Sequence, residues 1–354
     1  MTRLRLSLLD RSRTRQGEDH AVALQATVER ARRAEELGYH RFWVAEHHAV
    51  PGIASGAPAV LAAAVAARTS RIRVGSGGVM LPNHRPIVVA EQFAMLEALH
   101  PGRIDLGVGR SLGFTAPVRE ALGTTSDAPD AFAADLGSLR DYLTGRGPVT
   151  AMPVVADPPP VFVLATGSGL EVAARAGLPV VVGGPALADD DGAIARYRRE
   201  FRPSEAWPEP YVVISLEVMV ARTTTHARNL LLPEAWAMAE SRTTGAFPPL
   251  EPVEAVRERR PTGKQRATIA GFLSSALYGT PTAVGVSLAA LVERTGADEV
   301  MVSTSTYDRE DLAHADAALT EAVNATEPPT RTPTAELFRE QLSCRRWGVR
   351  GVEG

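Results

Sequence analysis

The 354 residues predict an α/β protein, a (β/α)8 barrel of the TIM type. Three observations carry this. Short apolar runs alternate with longer amphipathic segments along the chain, which calls for parallel strands covered by helices. The alternation repeats eight times, and eight units favour a closed barrel over an open doubly wound sheet, although periodicity alone leaves the open sheet standing. The length exceeds an ordinary domain but is usual for a one-unit α/β barrel, and 45% apolar residues supply a sizeable core.

The elements follow in order. Leu4 to Leu9 reads as the first strand. His20 to Leu37 is a helix, with Ala21, Leu24, Val28, Ala31, Ala34 and Leu37 at spacings of three and four, and Gly38 ends it in the C′ position. Arg41 to Val44 is a strand and Ala57 to Arg68 a helix. Ile72 to Gly77 is a strand, and Pro86 opens a helix to Leu99 with Val89, Phe93, Leu96 and Leu99 on one face. Ile104 to Val108 and the helix Ala131 to Leu143 complete the fourth unit. Further strands are Val161 to Leu164, Val180 to Val182, Val212 to Val220 and Val300 to Val302. Helices fit at Leu170 to Ala176, Ala193 to Phe201, Thr225 to Glu240, Thr282 to Thr295 and Arg309 to Val323.

Two stretches break the repeat. Arg146 to Pro160, before strand 5, is rich in Pro and Gly; Ser241 to Pro281, after the seventh unit's helix, is long, Pro-rich and charged. Both read as insertions, and the second is either a cap over the pocket or a solvated excursion. The expected organisation is a barrel over residues 1–325, with insertion 241–281, and a C-terminal tail over 326–354.

Composition excludes several classes. The net charge of −3 comes without a basic stripe, which speaks against a nucleic-acid partner. No run approaches the roughly 18 apolar residues of a membrane span. Arg3 and Arg5 interrupt the N-terminal apolar residues, so a secretory leader is not expected. The one cysteine, Cys344, forms no intrachain disulfide and no cysteine zinc site. A cytoplasmic protein is the expectation.

Three segments move the reading from fold to family: "RFWVAEHH" (Arg41 to His48), "RVGSGGVMLPNHRPIVVAEQFAMLEALHPGRIDLGVGR" (Arg73 to Arg110) and "ATGSGLEVAARAGLPV" (Ala165 to Val180). Together they resemble the α-subunit of bacterial luciferase and its actinomycete relatives, the luciferase-like monooxygenases of antibiotic pathways. "TGADEVMVSTSTYD" (Thr295 to Asp308) is similar to the last barrel strand and loop of that group.

The resemblance implies an FMNH2-dependent monooxygenase. O2 would react through a flavin C4a-peroxide to oxygenate a small organic substrate of secondary metabolism. A separate reductase would supply the reduced FMN, because no G-x-G-x-x-G opens a helix after the first strand. A homodimer is the default of the family. Alternatives are an F420-dependent hydride-transfer oxidoreductase and a non-catalytic flavin-binding barrel; a sugar-phosphate barrel would share the phosphate clamp but would not need the paired glycines.

The resemblance also assigns residues. Glu46, His47 and His48 end the second strand on the catalytic face of a barrel. His47 matches the family's acid/base histidine near the flavin, and a neutral imidazole suits proton transfer near pH 7. His47 and His48 are neighbours in an extended segment and point to opposite sides, so no metal site is expected. Gly77 and Gly78 match a pair that forms a non-proline cis peptide beside the flavin ring, and Gly75 stands with them at a point of close backbone approach. Arg110 after the fourth strand suits bidentate phosphate binding. Ser168, Gly169 and Leu170 open a helix whose first-turn N–H groups make an anion site, with Ser168 as N-cap.

Other positions carry weaker readings. Asn83 and His84 line the pocket or shape a turn, Glu91 is solvated or caps its helix, and Tyr307 and Asp308 reach toward the pocket floor. Relatives carry Asp-Gln-Ser-Pro after the first strand where this chain has Asp10, Arg11, Ser12 and Arg13. The two arginines read first as solvated surface groups, and second as a positive pocket mouth for an acidic substrate. Gly109 stands where luciferase has a reactive cysteine.

Overall fold

The computed structural model describes residues 4–113, 115–124, 130–165, 167–184, 187 and 192–325. The tail 326–354 with Cys344, and Phe114 and Thr166, lie outside the described residues. Eight strands carry the barrel: β1 (Arg5–Asp10), β2 (Arg41–Val44), β3 (Arg73–Met80), β4 (Ile104–Gly109), β5 (Val161–Ala165), β6 (Val180–Gly183), β7 (Val212–Leu216) and β10 (Glu299–Val302). All neighbours pair in parallel in the order β1-β10-β7-β6-β5-β4-β3-β2. β1 pairs with both β10 and β2, so the sheet closes and the open doubly wound arrangement is excluded.

Alternate residues of each strand face opposite ways. One set, including Leu8, Val44, Val74, Leu106, Val182, Ile214 and Val302, packs outward against the helices. The other fills the barrel: Trp43, Phe162, Val181, Val213 and Met301 form a second buried cluster. Trp43 and Phe162 meet edge to face, with ring centroids 5.1 Å apart. At the N-terminal end of the strands the buried Arg41 bridges Asp105 and Glu299, at 2.7 and 3.0 Å, and closes that end with paired charge. The cavity is therefore left to the other end.

Three elements differ from expectation, each for a local reason. β3 runs to Met80 rather than stopping at Gly77, because its pairing with β4 shifts by one residue between Ser76 and Val79 and then resumes. A bulge of this kind takes up an extra residue without ending the strand. The apolar run Val212 to Val220 divides at Glu217: β7 stays in the barrel, and β8 (Val218–Val220) leaves it to pair with β9 (Leu277–Gly279). The helix read over Thr225 to Glu240 is two helices, Thr224–Leu230 and Leu232–Thr244, with Pro233 in the first turn of the second. Proline has no N–H to continue the first helix and starts the second without penalty.

Residues 241–281 contain the helices Val253–Glu258 and Gly263–Ser275, the latter begun by a capping box between Thr262 and Gln265. The segment also touches two loops at the C-terminal end of the strands. Leu250 N–H donates to Thr14 O at 2.9 Å, and Gly52 N–H donates to Phe247 O at 2.8 Å. This ties the segment to the loops after β1 and β2. Among the described residues no helix is long and apolar enough to cross a membrane.

Candidate active site

A cavity of about 750 Å3 opens at the C-terminal ends of the strands. This lies within the range of about 300–1,000 Å3 typical of small-molecule sites. It is walled by the ends of β2 (Glu46, His47, His48), β3 (Gly77, Gly78), β4 (Gly109, Arg110) and the turn after β5 (Ser168, Gly169). Leu9, Leu164 and Val181 supply apolar floor.

Glycine shapes one wall. A Cβ on Gly77 would stand 2.5 Å from Leu9 Cδ1, and one on Gly78 would stand 2.9 Å from the Gly107 carbonyl. At Gly78 the obstacle is backbone; at Gly77 it is the tip of a leucine side chain, which would have to move. The Gly77–Gly78 peptide is cis and sits at the bulge of β3.

Glu46 joins the β2 and β3 walls. Its buried carboxylate accepts His48 Nε2 at 2.6 Å and His84 Nε2 at 2.8 Å on one oxygen, and Met80 N–H at 2.9 Å on the other. Burial pushes this carboxyl up, but the hydrogen bonds from His84, Met80 and His48 outweigh it and hold it below the ordinary value. The three ligand-type atoms of Glu46, His48 and His84 lie within 4.8 Å of one another. Sequence spacing considered only the adjacent histidines for a metal. It did not bring in His84, which lies 38 residues from Glu46 and arrives through the strand pairing of β2 with β3.

His47 points the other way. Its backbone N–H is held by Ser55 O at 2.8 Å, and its Nδ1 is buried with no hydrogen-bond partner. Burial first, and then the positive charges of Arg11 and Arg13, lower its pKa to about 4. The imidazole is neutral at physiological pH.

Those arginines correct one expectation. Arg11 and Arg13 are not solvated surface groups. Arg13 is buried, its Nε 2.9 Å from Glu234, with further bonds to the carbonyls of Gly52 and Pro248. Arg11 pairs with Glu217 at 3.1 Å and Glu234 at 3.4 Å, and donates to Ser303 O at 3.0 Å. A charge this deep persists only with partners, and the partners come from far along the chain, where sequence reading could not pair them.

Two further expectations change. Tyr307 and Asp308 do not line the cavity: the Tyr307 carbonyl accepts from Arg15, and the Asp308 carboxylate caps the last helix by accepting the N–H groups of Glu310 and Asp311. Glu91 is not simply solvated but accepts the Met152 N–H at 3.2 Å. Asn83 has both amide atoms buried without a partner and stands outside the cavity lining.

Arg110 and Ser168 meet at the mouth. Arg110 NH1 donates to Ser168 Oγ at 2.5 Å, and its NH2 lies 3.5 Å from Asp130. Ser168 holds the N-cap position of the helix Gly169–Ala176, yet its side chain caps nothing; the Arg110 bond takes it instead. The Leu170 N–H is already donated to Gly167 O at 3.0 Å, so that amide is not among the free donors of the turn. The remaining anion donors are Arg110, the Ser168 hydroxyl and the Gly169 amide.

The profile of the family described as "Luciferase-like monooxygenase" matches residues 4–299. The chain belongs to that family. It is 36% identical over 318 residues to a luciferase-like monooxygenase of Escherichia coli (strain K12), covering 87% of this chain and 93% of the relative. A stretch of 110 residues, 31% of this chain and 33% of the relative, is 57% identical to the N-acetyl-S-alkylcysteine monooxygenase of Bacillus subtilis (strain 168). The solved structure of apo-MsnO8 superposes with a TM-score of 0.82 at 33% identity, covering 92% of this chain and all of the other.

As a member of the luciferase-like monooxygenases the chain is a flavin-dependent monooxygenase. The cavity is compatible with a flavin-type cofactor. Gly77, Gly78 and Gly109 leave one wall free of side chains, with room for a flat ring system, and Arg110, Ser168 and Gly169 offer donors to an anionic group.

Proposed function

We propose that this protein is an FMNH2-dependent monooxygenase that inserts one oxygen atom of O2 into a small organic molecule. The observation that carries the reading is the meeting, in one cavity, of three features: the Arg110–Ser168 donor pair, the side-chain-free Gly77–Gly78 wall and a neutral buried histidine. When bound, reduced FMN supplies two electrons and activates oxygen, so that substrate, O2 and FMNH2 become oxygenated substrate, water and FMN.

The chain's own residues do the rest. Arg110, Ser168 Oγ and Gly169 N–H hold the FMN phosphate. Gly77 and Gly78 let the ring lie against backbone. His47 Nδ1 or Nε2 takes and returns a proton, which a neutral imidazole can do without first losing one. Leu9, Val50, Met80 and Leu164 keep water out of the site, where it would divert the reaction. The reduced cofactor arrives from a separate reductase. S-Alkylated amino-acid derivatives and aromatic secondary metabolites are the substrates to screen, the first because of the locally 57% identical relative.

The test is an anaerobic titration of the protein with FMNH2, FMN and F420, followed by admission of 18O2 with a substrate panel. Preferential binding of FMNH2 and one 18O in the product are expected. Preferential binding of F420, with turnover independent of oxygen, would overturn the reading.

A further inference from the structure

The proposed cofactor contacts occupy the β3, β4 and β5 side of the cavity, and the β2 end holds a cluster of a different kind. The adjacent His47 and His48 point apart and cannot share an ion. Glu46 and His48, two residues apart in the extended stretch after β2, lie on one side of the chain. His84 arrives from beyond β3, just after the 3-10 turn Leu81–Asn83, where its own N–H donates to Leu81 O at 3.0 Å.

The three side chains converge. Glu46 Oε1 lies 2.6 Å from His48 Nε2 and 2.8 Å from His84 Nε2, and one ligand-type atom of each residue falls within 4.8 Å of the others. The second carboxylate oxygen accepts the Met80 N–H at 2.9 Å, which aims Oε1 at the two rings. Ligating carboxylates are commonly oriented by such a bond. Glu46 and His48 line the cavity, and the His48 and His84 side chains are 22% and 29% exposed, so an ion has a path to the cluster. Two imidazoles and a carboxylate are the donor set of a late first-row divalent ion, with a further position left to water. Mg2+ demands oxygen ligands and finds one here.

We propose that Glu46, His48 and His84 bind a late first-row divalent cation, with Zn2+ as the probe, and that the ion takes over the tie between the end of β2 and the turn after β3. Glu46 Oε1 and the two Nε2 lone pairs coordinate it, and each ring proton moves from Nε2 to Nδ1. Donor atoms around a tetrahedral Zn2+ stand about 3.4 Å apart, so binding opens the two Glu46 contacts by about 0.6 to 0.8 Å. The site uses none of the contacts assigned to the flavin and stands independently of them.

The test is calorimetric titration of the full chain with Zn2+ and with Mg2+, in a Cys344→Ser background that removes the one thiol. One Zn2+ per chain and no Mg2+ are expected. His84→Gln and His48→Gln can still donate a hydrogen bond to Glu46 but give up the imidazole. Each is expected to weaken Zn2+ by about a hundredfold or more, beyond what loss of an outer hydrogen bond causes. Zn2+ is expected to raise the Tm of the parent and not of the variants, because residues 38 positions apart meet only in the fold. Ring 15N NMR of the parent decides the matter even if neither variant folds: two of the eight histidines are expected to move their proton from Nε2 to Nδ1 as Zn2+ is added. No Zn2+ binding, equal binding of Mg2+, unchanged Zn2+ affinity in either variant (an adventitious ion elsewhere), or ring protons that stay on Nε2 would each overturn the site.

Discussion

Replacing His47 by glutamine tests the electrostatics of the cavity directly. In the unfolded chain this imidazole titrates near 6.5; in the folded protein burial and the Arg11 and Arg13 charges bring it to about 4. Above pH 6.5 it is neutral in both states and contributes nothing to the pH dependence. As the pH falls from 6.5 toward 4, the unfolded chain binds a proton that the folded protein refuses, so stability declines with acid. At about 1.4 kcal/mol per pH unit the gap between 6.5 and 4 is worth at most about 3.5 kcal/mol, of which about 3 is lost by pH 4, where the folded imidazole is itself half protonated. Between pH 6.5 and 5 the loss is about 2 kcal/mol. Urea unfolding of the wild type and of His47→Gln across pH 5 to 7 isolates the term, because other titrating groups are shared. The variant is expected to lose stability less steeply with acid, by about one proton's worth of slope. Parallel curves for the two proteins would refute the burial-and-charge account of His47 and, with it, the neutral base in the proposed chemistry.

Other perturbations have defined outcomes. Gly107→Ala would press a methyl group into the Ser76 carbonyl on the neighbouring strand, and a loss of about 1–3 kcal/mol is expected by urea titration. Glu46→Gln replaces an acceptor of three donors by a group that can accept from only part of that set. A loss of about 1–3 kcal/mol is expected, together with weaker FMN binding because the β2 and β3 walls separate; full retention of both would remove the bridging role. Arg110→Ala is expected to raise the FMN dissociation constant about tenfold or more while leaving riboflavin, which lacks the phosphate, nearly unchanged. An equal loss for the two flavins would place the arginine elsewhere than at the phosphate.

The legible part of the fold was the part written in local pattern. Strands such as Val161–Ala165 and Val180–Gly183 are short, apolar and β-branched, and helices such as His20–Glu36 carry a clear apolar stripe and a Gly38 stop, so their sequence reads almost as their structure. The extension of β3 past Gly77 was not legible, because glycine has no side chain to carry the period-two signal. The division at Glu217 was read through as one strand because apolar β-branched residues lie on both sides of that single charge, and the partners of Glu217, Arg11 and Ser303, lie far away in the sequence. Site residues carried by motif, His47, Gly77, Gly78, Arg110 and Ser168, do come together around one cavity. Those made by long-range contact did not announce themselves. His84 reaches Glu46 from another unit, and the two arginines after β1 find glutamates more than 200 residues away. A charged residue's depth depends on partners that only the closed barrel brings near.

The bulge in β3 also bears on how this chain can vary among its descendants. A strand that alternates strictly turns one residue inward and the next outward, and here the one surplus residue between Ser76 and Val79 lets two consecutive glycines both border the cavity. Losing a single codon in that stretch would restore regular pairing with β4, with Val79 still opposite Val108 and Met80 opposite Gly109, and would leave one glycine where two now border the cavity. Substitutions can be explored at that wall one at a time, but its length cannot. Deletion scanning of residues 76–79 should therefore be far less forgiving than the same scan in the loop between residues 145 and 160.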